Sequence, residues 1–420
     1  MIKKKQIGAA VIALALVAGT AVSVQAAPKT LVISSDLPLQ GSAFDANDST
    51  NKAIQLYLSQ QKNMAGKYKI EFKTYDNATA AKGSWDDAKC AANALAHVAN
   101  KNEVAVMGTF NSGCAKIIAP VLNQAPDGPM LMISNANTNP GLTKEWNPGE
   151  PYKYFPTGLR SYGRVCTTDD FQGAAAAQFA KEVLKVKSVY VLNDTETYGQ
   201  GVAQAFVTEA KKQGITVLSS GDKGEGWDKK QTDYTALFTK IKALNPEMVY
   251  FGGIFDNNGG QLTKDKVKVL GDNTKVKLMG PDGFTGYPQF NSLPEADGAY
   301  LSFAGLSTEL LLKNNPTGAG AKFLKAYKAK YGKDPVGSYP LYGVAAVQVI
   351  LGAIAKSDGT RKGVRDAVFG ANTVQISANN SVLGKAIQLD PLTGDVNAKD
   401  ITIEVVKNKE EVTVQAWAVK

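Results

Sequence analysis

Apolar and polar positions along this chain alternate between two periods. Short apolar runs over residues 31–34, 69–75, 104–107 and 130–133 read as buried strands. Stretches over 49–61 and 85–100 carry helical spacing, the second with Ala88, Ala91, Ala92, Leu95 and Ala99 on one face. Ser84 and Asp87 have the spacing of a capping box at the start of that helix. Farther on, strand patterns over 188–193, 215–219, 247–251 and 276–279 alternate with helical ones over 202–213, 234–244 and 260–270. Repeated strand–helix units imply parallel sheets that bind ligands at the carboxyl ends of their strands. The last part differs: 382–388, 401–406 and 411–419 read as antiparallel strands, with a turn at Asp390-Pro-Leu-Thr-Gly-Asp395.

The N-terminus fixes a compartment. Three lysines at 3–5, an apolar stretch over 7–18 and Val24-Gln-Ala26 form the basic, apolar, small-residue series of a secretory signal peptide over 1–26. The apolar stretch is too short to be a stable anchor, and no later run is expected to span a bilayer. No cysteine lies near the cut, so a soluble, exported, periplasmic chain starting near Ala27 is expected, without a lipid anchor. The remainder, about 390 residues, exceeds one core and implies two domains. Of the formal charge of +9, the leader lysines carry three, leaving +6 spread over helix faces. Without a basic patch interleaved with aromatics, nucleic-acid binding is not expected.

Candidate chemistry concentrates in two loops, Gly108-Thr-Phe-Asn-Ser-Gly113 and Ile133-Ser-Asn-Ala-Asn-Thr-Asn-Pro140. Each ends a predicted strand and precedes a helical or turn pattern. The first N–H groups of a helix have no internal partner, so such loops can hold a carboxylate. Enzyme chemistry finds little support. The single histidine, His97, falls near a helix C-terminus and reads as structural; one histidine cannot build a multi-histidine metal site. Neither a phosphate loop nor a placed Gly-x-Gly-x-x-Gly occurs. No catalytic residue, metal or cofactor is expected.

With these loops in order, and with Pro38-Leu-Gln-Gly41, Asp170-Phe-Gln-Gly173, Tyr198-Gly-Gln-Gly201, Tyr250-Phe-Gly-Gly253 and Leu278-Met-Gly-Pro-Asp-Gly283, the chain resembles the type I periplasmic substrate-binding proteins of ABC importers, in their branched-chain amino acid branch. The resemblance implies two doubly wound α/β lobes joined by three hinge crossovers. Lobe 1 would comprise 28–160 plus 306–384, and lobe 2 would comprise 161–305 plus 385–420. The crossovers would lie near 159–162, 304–306 and 384–387. It also implies a monomer that traps an amino acid, branched-chain or otherwise apolar, and delivers it to membrane permease subunits.

Site residues follow from the resemblance position by position. Ser112 would hold the ligand carboxylate, although a plain N-cap serine explains it equally well from sequence alone. Thr138 would reach both carboxylate and ammonium, and Ala136 would offer its carbonyl to the ammonium; Asn137 lies between them. Asp282, on lobe 2, would neutralise the ammonium, with a solvated Pro-Asp-Gly turn as the alternative. Tyr198 would close over the ligand, or else pack on its own lobe. Phe110 and Asn111 would line the pocket beside Ser112. The chain departs from its relatives around 254–257, where Phe255 would replace a missing aromatic, and around 42–45, which leaves Phe44 a weak candidate. Those two departures keep the preferred side chain open.

In consecutive strand–helix units, Cys90 and Cys114 would sit on one sheet edge, and some relatives carry a disulfide there, so a Cys90–Cys114 bond is expected. Cys166 would be left as a thiol or a rival partner for Cys114. A binding protein for a short amide or urea-like solute, and a ligand-sensing module of the same fold, are the alternative functions.

Overall fold

The computed structural model describes Met1, residues 27–371 and residues 373–420. The predicted leader, Met1 apart, lies outside the described residues. Two sheets organise the chain. The first runs Met64–Ala65, Tyr68–Asp76, Thr30–Leu37, Glu103–Gly108, Leu131–Ser134, Tyr162–Arg164. Only the Met64–Ala65 edge is antiparallel. Ile33 sits beside both Phe72 and Ala105, and strand Glu103–Gly108 is buried throughout, as a parallel strand covered on both faces must be.

The second sheet runs Thr216–Val217, Ser188–Asn193, Met248–Gly252, Lys277–Gly280, Tyr300–Phe303, with Glu225–Gly226 added beside Ser188–Asn193. It ends in an antiparallel pair, Ile401–Lys407 and Glu410–Trp417. In each sheet the strand order reverses beside the first strand, and ligands bind at such switch points.

The chain passes between the sheets three times. It leaves the first after Tyr162–Arg164 and returns after Tyr300–Phe303 to lay helices Ala319–Tyr331, Tyr339–Lys356 and Arg361–Phe369 on that lobe. It crosses again before Ile401–Lys407. Helix Tyr339–Lys356 corrects one expectation, because by length and composition it is apolar enough to cross a membrane. Val344, Val347, Ile350 and Ile354 on it are fully buried, so it serves as the core helix of the first lobe.

Other departures have local causes. Helix Asp87–Ala99 is capped by Asp86, whose carboxylate accepts from Lys89 N at 3.1 Å, and not by Ser84. Its buried face is Cys90, Asn93, Ala94 and His97, while Leu95 is exposed. Polar anchors, not the alanine stripe, set the rotation of this helix. Residues 382–388 form no strand; one bridge joins Ile376 to Ile387, and another, Leu389 to Val396, closes the turn at 390–395. Gly384, at φ +65°, breaks the extended run. Helices Phe44–Gln60 and Thr197–Lys212 begin one turn or more earlier than their apolar spacing suggests, because Asp45, Asn47 and Asp48 in the one and Thr197, Gly199 and Gln200 in the other interrupt that spacing.

Two devices tie the first lobe together. Cys90 and Cys114 form a disulfide with Cα atoms 5.6 Å apart, joining helix Asp87–Ala99 to helix Ser112–Asn123; Cys166 is a buried thiol. His97 is fully buried, with Nδ1 2.6 Å from Glu103 Oε1 and Nε2 3.0 Å from Asp36 Oδ2. Ser34 donates to the same Glu103 carboxylate. Burial pulls the imidazole pKa down, but hydrogen bonds to Asp36 and Glu103 outweigh it and push it up to about 9.

Candidate functional site

Loops from the carboxyl ends of both sheets meet in one cleft. From the first sheet come the loop before helix Ser112–Asn123 and the loop after Leu131–Ser134. Asn111 is the N-cap and makes no side-chain cap bond, which leaves Ser112 as the first helical residue, not the cap the sequence suggests. Ser112 Oγ accepts from Asn139 N at 3.3 Å, and it is 2% exposed. Gly113 is obligatory: a Cβ there would meet the Trp85 ring at 2.6 Å.

The 134–139 loop is held from below. Ser134 Oγ accepts from Ala136 N and Asn137 N at 3.1 and 2.8 Å and donates to Thr109 O at 2.9 Å. Asn137 Nδ2 donates to Phe110 O at 3.0 Å, and Tyr162 donates to Asn137 Oδ1 at 3.2 Å, so the Asn137 side chain joins the two loops. Arg164, fully buried, donates to the carbonyls of Asn137 and Asn139 at 2.7 and 2.9 Å and ion-pairs with Asp395 at 2.8 Å. Its fixed fork sets the loop's peptide planes. The sequence reading missed this residue.

From the second sheet, the turn Asp282–Phe284 follows strand Lys277–Gly280. Asp282 is 4% exposed. Tyr198 and Tyr339 each donate a hydroxyl to it, to Oδ1 and Oδ2, both at 2.6 Å. Tyr339 belongs to the first lobe, so this carboxylate bridges the gap. The Tyr198 hydroxyl also accepts from Gly283 N at 2.9 Å. A Cβ on Gly283 would lie 2.3 Å from Gly253 O, so only glycine fits. Phe110 meets Tyr339 edge-on at 5.8 Å between ring centres.

Phe255 stands apart from this group. Its ring packs with Tyr287 and Phe290 at 5.2 and 5.8 Å in the aromatic core of the second lobe, although its N–H reaches Gly283 O at 2.9 Å. Phe44 is 44% exposed.

The largest omission of the sequence reading is Asp169, at the start of helix Asp169–Glu182. Its side chain is fully buried, and neither carboxylate oxygen makes a well-formed hydrogen bond among the described residues, although the Thr138 hydroxyl stands beside it. Burial and the neighbouring Asp282 carboxylate push its pKa well above the ordinary range. Burial likewise raises Asp282, against the hydroxyls of Tyr198 and Tyr339. Around these two acids Thr138 Oγ1, Gln172 Oε1 and the Tyr250 hydroxyl are also buried without partners. Native interiors leave few such groups, and a cluster of them marks a place completed by something else. The signal was present in Asp169-Asp-Phe-Gln172, but an acid in the first turn of a helix usually reads as a dipole partner.

The lobes touch across the cleft. Trp85 Nε1 donates to Glu196 at 3.0 Å, Asn139 Nδ2 to Thr197 O at 3.1 Å, and Ala43 N to Asp256 at 3.1 Å. Two α/β lobes thus close on a buried polar cleft.

The chain belongs to the periplasmic binding protein family, whose profile matches residues 36–390. An amino acid binding protein of Pseudomonas aeruginosa is 28% identical over 67% of this chain, and the match spans 66% of that relative's own length. A leucine-specific-binding protein of Salmonella typhimurium is 29% identical over 58% of the chain and 59% of its own length. A leucine-, isoleucine-, valine-, threonine- and alanine-binding protein of Pseudomonas aeruginosa matches over more, at 28% identity, 84% of this chain and 86% of its own. In fold, the chain is similar to a leucine binding protein from Thermotoga maritima (TM-score 0.74, 21% identity, 92% and 98% coverage). It is also similar to a benzoate-bound solute binding protein from R. palustris (TM-score 0.70, 15% identity, 92% and 96% coverage).

Proposed function

We propose that this protein is the extracytoplasmic solute-binding component of an ABC importer, that it captures a zwitterionic amino acid between its lobes, and that it hands the ligand to a membrane permease. The observation that carries this reading is the sorting of charge in the cleft. Ser112 and the first N–H groups of helix Ser112–Asn123 offer donors and a positive dipole end, which suit a carboxylate. Asp169 and Asp282 offer only acceptors when ionised, which suit an ammonium. Thr138 stands beside Asp169, and the Ala136 carbonyl is in reach of the same end in the family arrangement.

Two buried carboxylates next to one another are costly without a cation, so an ammonium entering between them is stabilised strongly. They disfavour a purely anionic aromatic acid. A division into two lobes, the first built on the sheet that ends at Tyr162–Arg164 and the second on the sheet that ends in Ile401–Lys407 and Glu410–Trp417, belongs to the same proposal, with closure by hinge motion at the three crossovers.

A thermal-shift screen against the amino acids, short amides and benzoate tests it. Ligands bound only by the folded form raise the midpoint. Aliphatic amino acids should raise it and their amides and deaminated analogues should not. A shift with benzoate or a neutral amide alone would refute the proposal.

A further inference from the structure

A second cleft spans the two lobes beyond the Asp282 turn, with a volume of about 790 Å³. Residues 286–292 and the strand pair Ile401–Lys407 and Glu410–Trp417 form one side, and residues 334–338 form the other. Glu309, Glu404 and Glu411 face one another here. Glu404 is 5% exposed, lines the cleft, and has neither a hydrogen bond nor an ion pair to its carboxylate among the described residues. Glu411 accepts from Gly286 N and Asn291 Nδ2 at 2.8 and 2.9 Å, and Glu309 accepts from Thr413 N at 3.0 Å.

Cations are scarce around this group. Lys328 is engaged by Asp334 at 2.8 Å, and Lys409 lines the cleft without pairing with any of the three acids. Asn291 Oδ1 and Thr308 Oγ1 are further buried oxygens there without partners among the described residues. Burial and the charges of Glu411 and Glu309 hold the Glu404 carboxyl well above its ordinary range. An open cleft lined by acceptors without partners among the described residues, with one largely buried acid that no lysine pairs with, has the chemistry of a site for a ligand rich in N–H donors.

We propose that this cleft binds a small organic cation carrying ammonium or guanidinium groups, at a site separate from the amino-acid cleft. Such a cation would contact both lobes. Gly337 and Gly286 meet across the gap, where a Cβ on Gly337 would come within 2.9 Å of Gly286 Cα, so the cleft exists in this form only while the lobes are together. A cation bound there therefore favours the closed form and, by reciprocity, tightens amino-acid binding.

The test is calorimetric titration of the purified protein with agmatine at constant ionic strength, with tetramethylammonium as a cation lacking N–H donors. Saturable agmatine binding at one site is expected, weakened at least tenfold by Glu404→Gln and by Glu411→Gln. Both substitutions keep side-chain shape, and retained amino-acid affinity in each variant verifies the fold. Asp282→Asn should leave agmatine binding within threefold, because that residue belongs to the other cleft. Agmatine should also tighten the amino acid found by the thermal-shift screen by threefold or more. The proposal is overturned if agmatine fails to bind, if tetramethylammonium binds equally, or if Asp282→Asn abolishes agmatine binding while Glu404→Gln does not.

Discussion

Asp169→Asn is the substitution that separates a ligand carboxylate from a structural one. In the closed cleft Asp282 already accepts two tyrosine hydroxyls, one on each oxygen, whereas among the described residues Asp169 makes no well-formed hydrogen bond and has the Thr138 hydroxyl beside it. An incoming ammonium therefore gains most from Asp169. Removing one partner of a buried charge pair costs about 3–5 kcal/mol, and Asp282 remains near enough to share part of the charge, which favours the lower end. About 3 kcal/mol corresponds to a Kd roughly 100-fold weaker.

The ligand-free protein should respond in the opposite direction. Asn at 169 removes a desolvated, unpartnered acid beside a second one, so stability should rise by about 1–2 kcal/mol, or roughly 2–4 °C in Tm. The sign of the pH dependence follows from the raised carboxyl pKa values of Asp169 and Asp282 in the empty cleft. The folded, ligand-free form holds more protons than the unfolded chain, so its stability falls as pH rises from the ordinary carboxylate range through the raised one. Ammonium binding displaces those protons, so affinity improves over the same interval. Calorimetry in two buffers of different ionisation enthalpy measures the protons released. An Asp169→Asn variant that binds amino acids within threefold of the parent, or that loses stability without ligand, would refute the reasoning.

Two further outcomes concern the scaffold. Replacing Cys90 and Cys114 by alanine opens a loop with a sequence separation of 24 and should cost about 3.5 kcal/mol in the chain-entropy model, read by urea unfolding. His97, raised from 6.5 to about 9 by Asp36 and Glu103, contributes stability that is fully present below pH 6.5 and fades as pH rises through about 9. His97→Gln should therefore lower Tm at neutral pH and flatten the Tm profile over that interval; an unchanged slope would show that the imidazolium is not the group responsible.

The fold was legible because its signal is periodic. Strand Ser188–Asn193 matches its apolar run end to end, and helix Gly259–Leu270 begins one residue early. Boundaries slipped where the first turn of a helix breaks the apolar repeat, as at Thr197–Lys212, since a lone Tyr198 among Thr197, Gly199 and Gln200 gives hydrophobic spacing nothing to count. The face of Asp87–Ala99 was misread for a related reason. Alanines fit either side of a helix, whereas the Cys90 disulfide and the His97 carboxylate cluster each have one possible direction.

Candidate residues on strand-to-helix loops could be proposed because such loops, set on a rigid scaffold, are where binding groups concentrate. Arg164 and Asp169 escaped for the converse reason: in sequence each has an ordinary structural explanation, one at a strand end and one in the first turn of a helix. Their roles become visible only in three dimensions, when the Arg164 fork is seen to occupy the loop carbonyls and the Asp169 carboxylate is seen to occupy nothing. An unpaired acid fully enclosed by a folded chain is unstable on its own terms, so its presence at the meeting point of two lobes argues for a cation that arrives from outside.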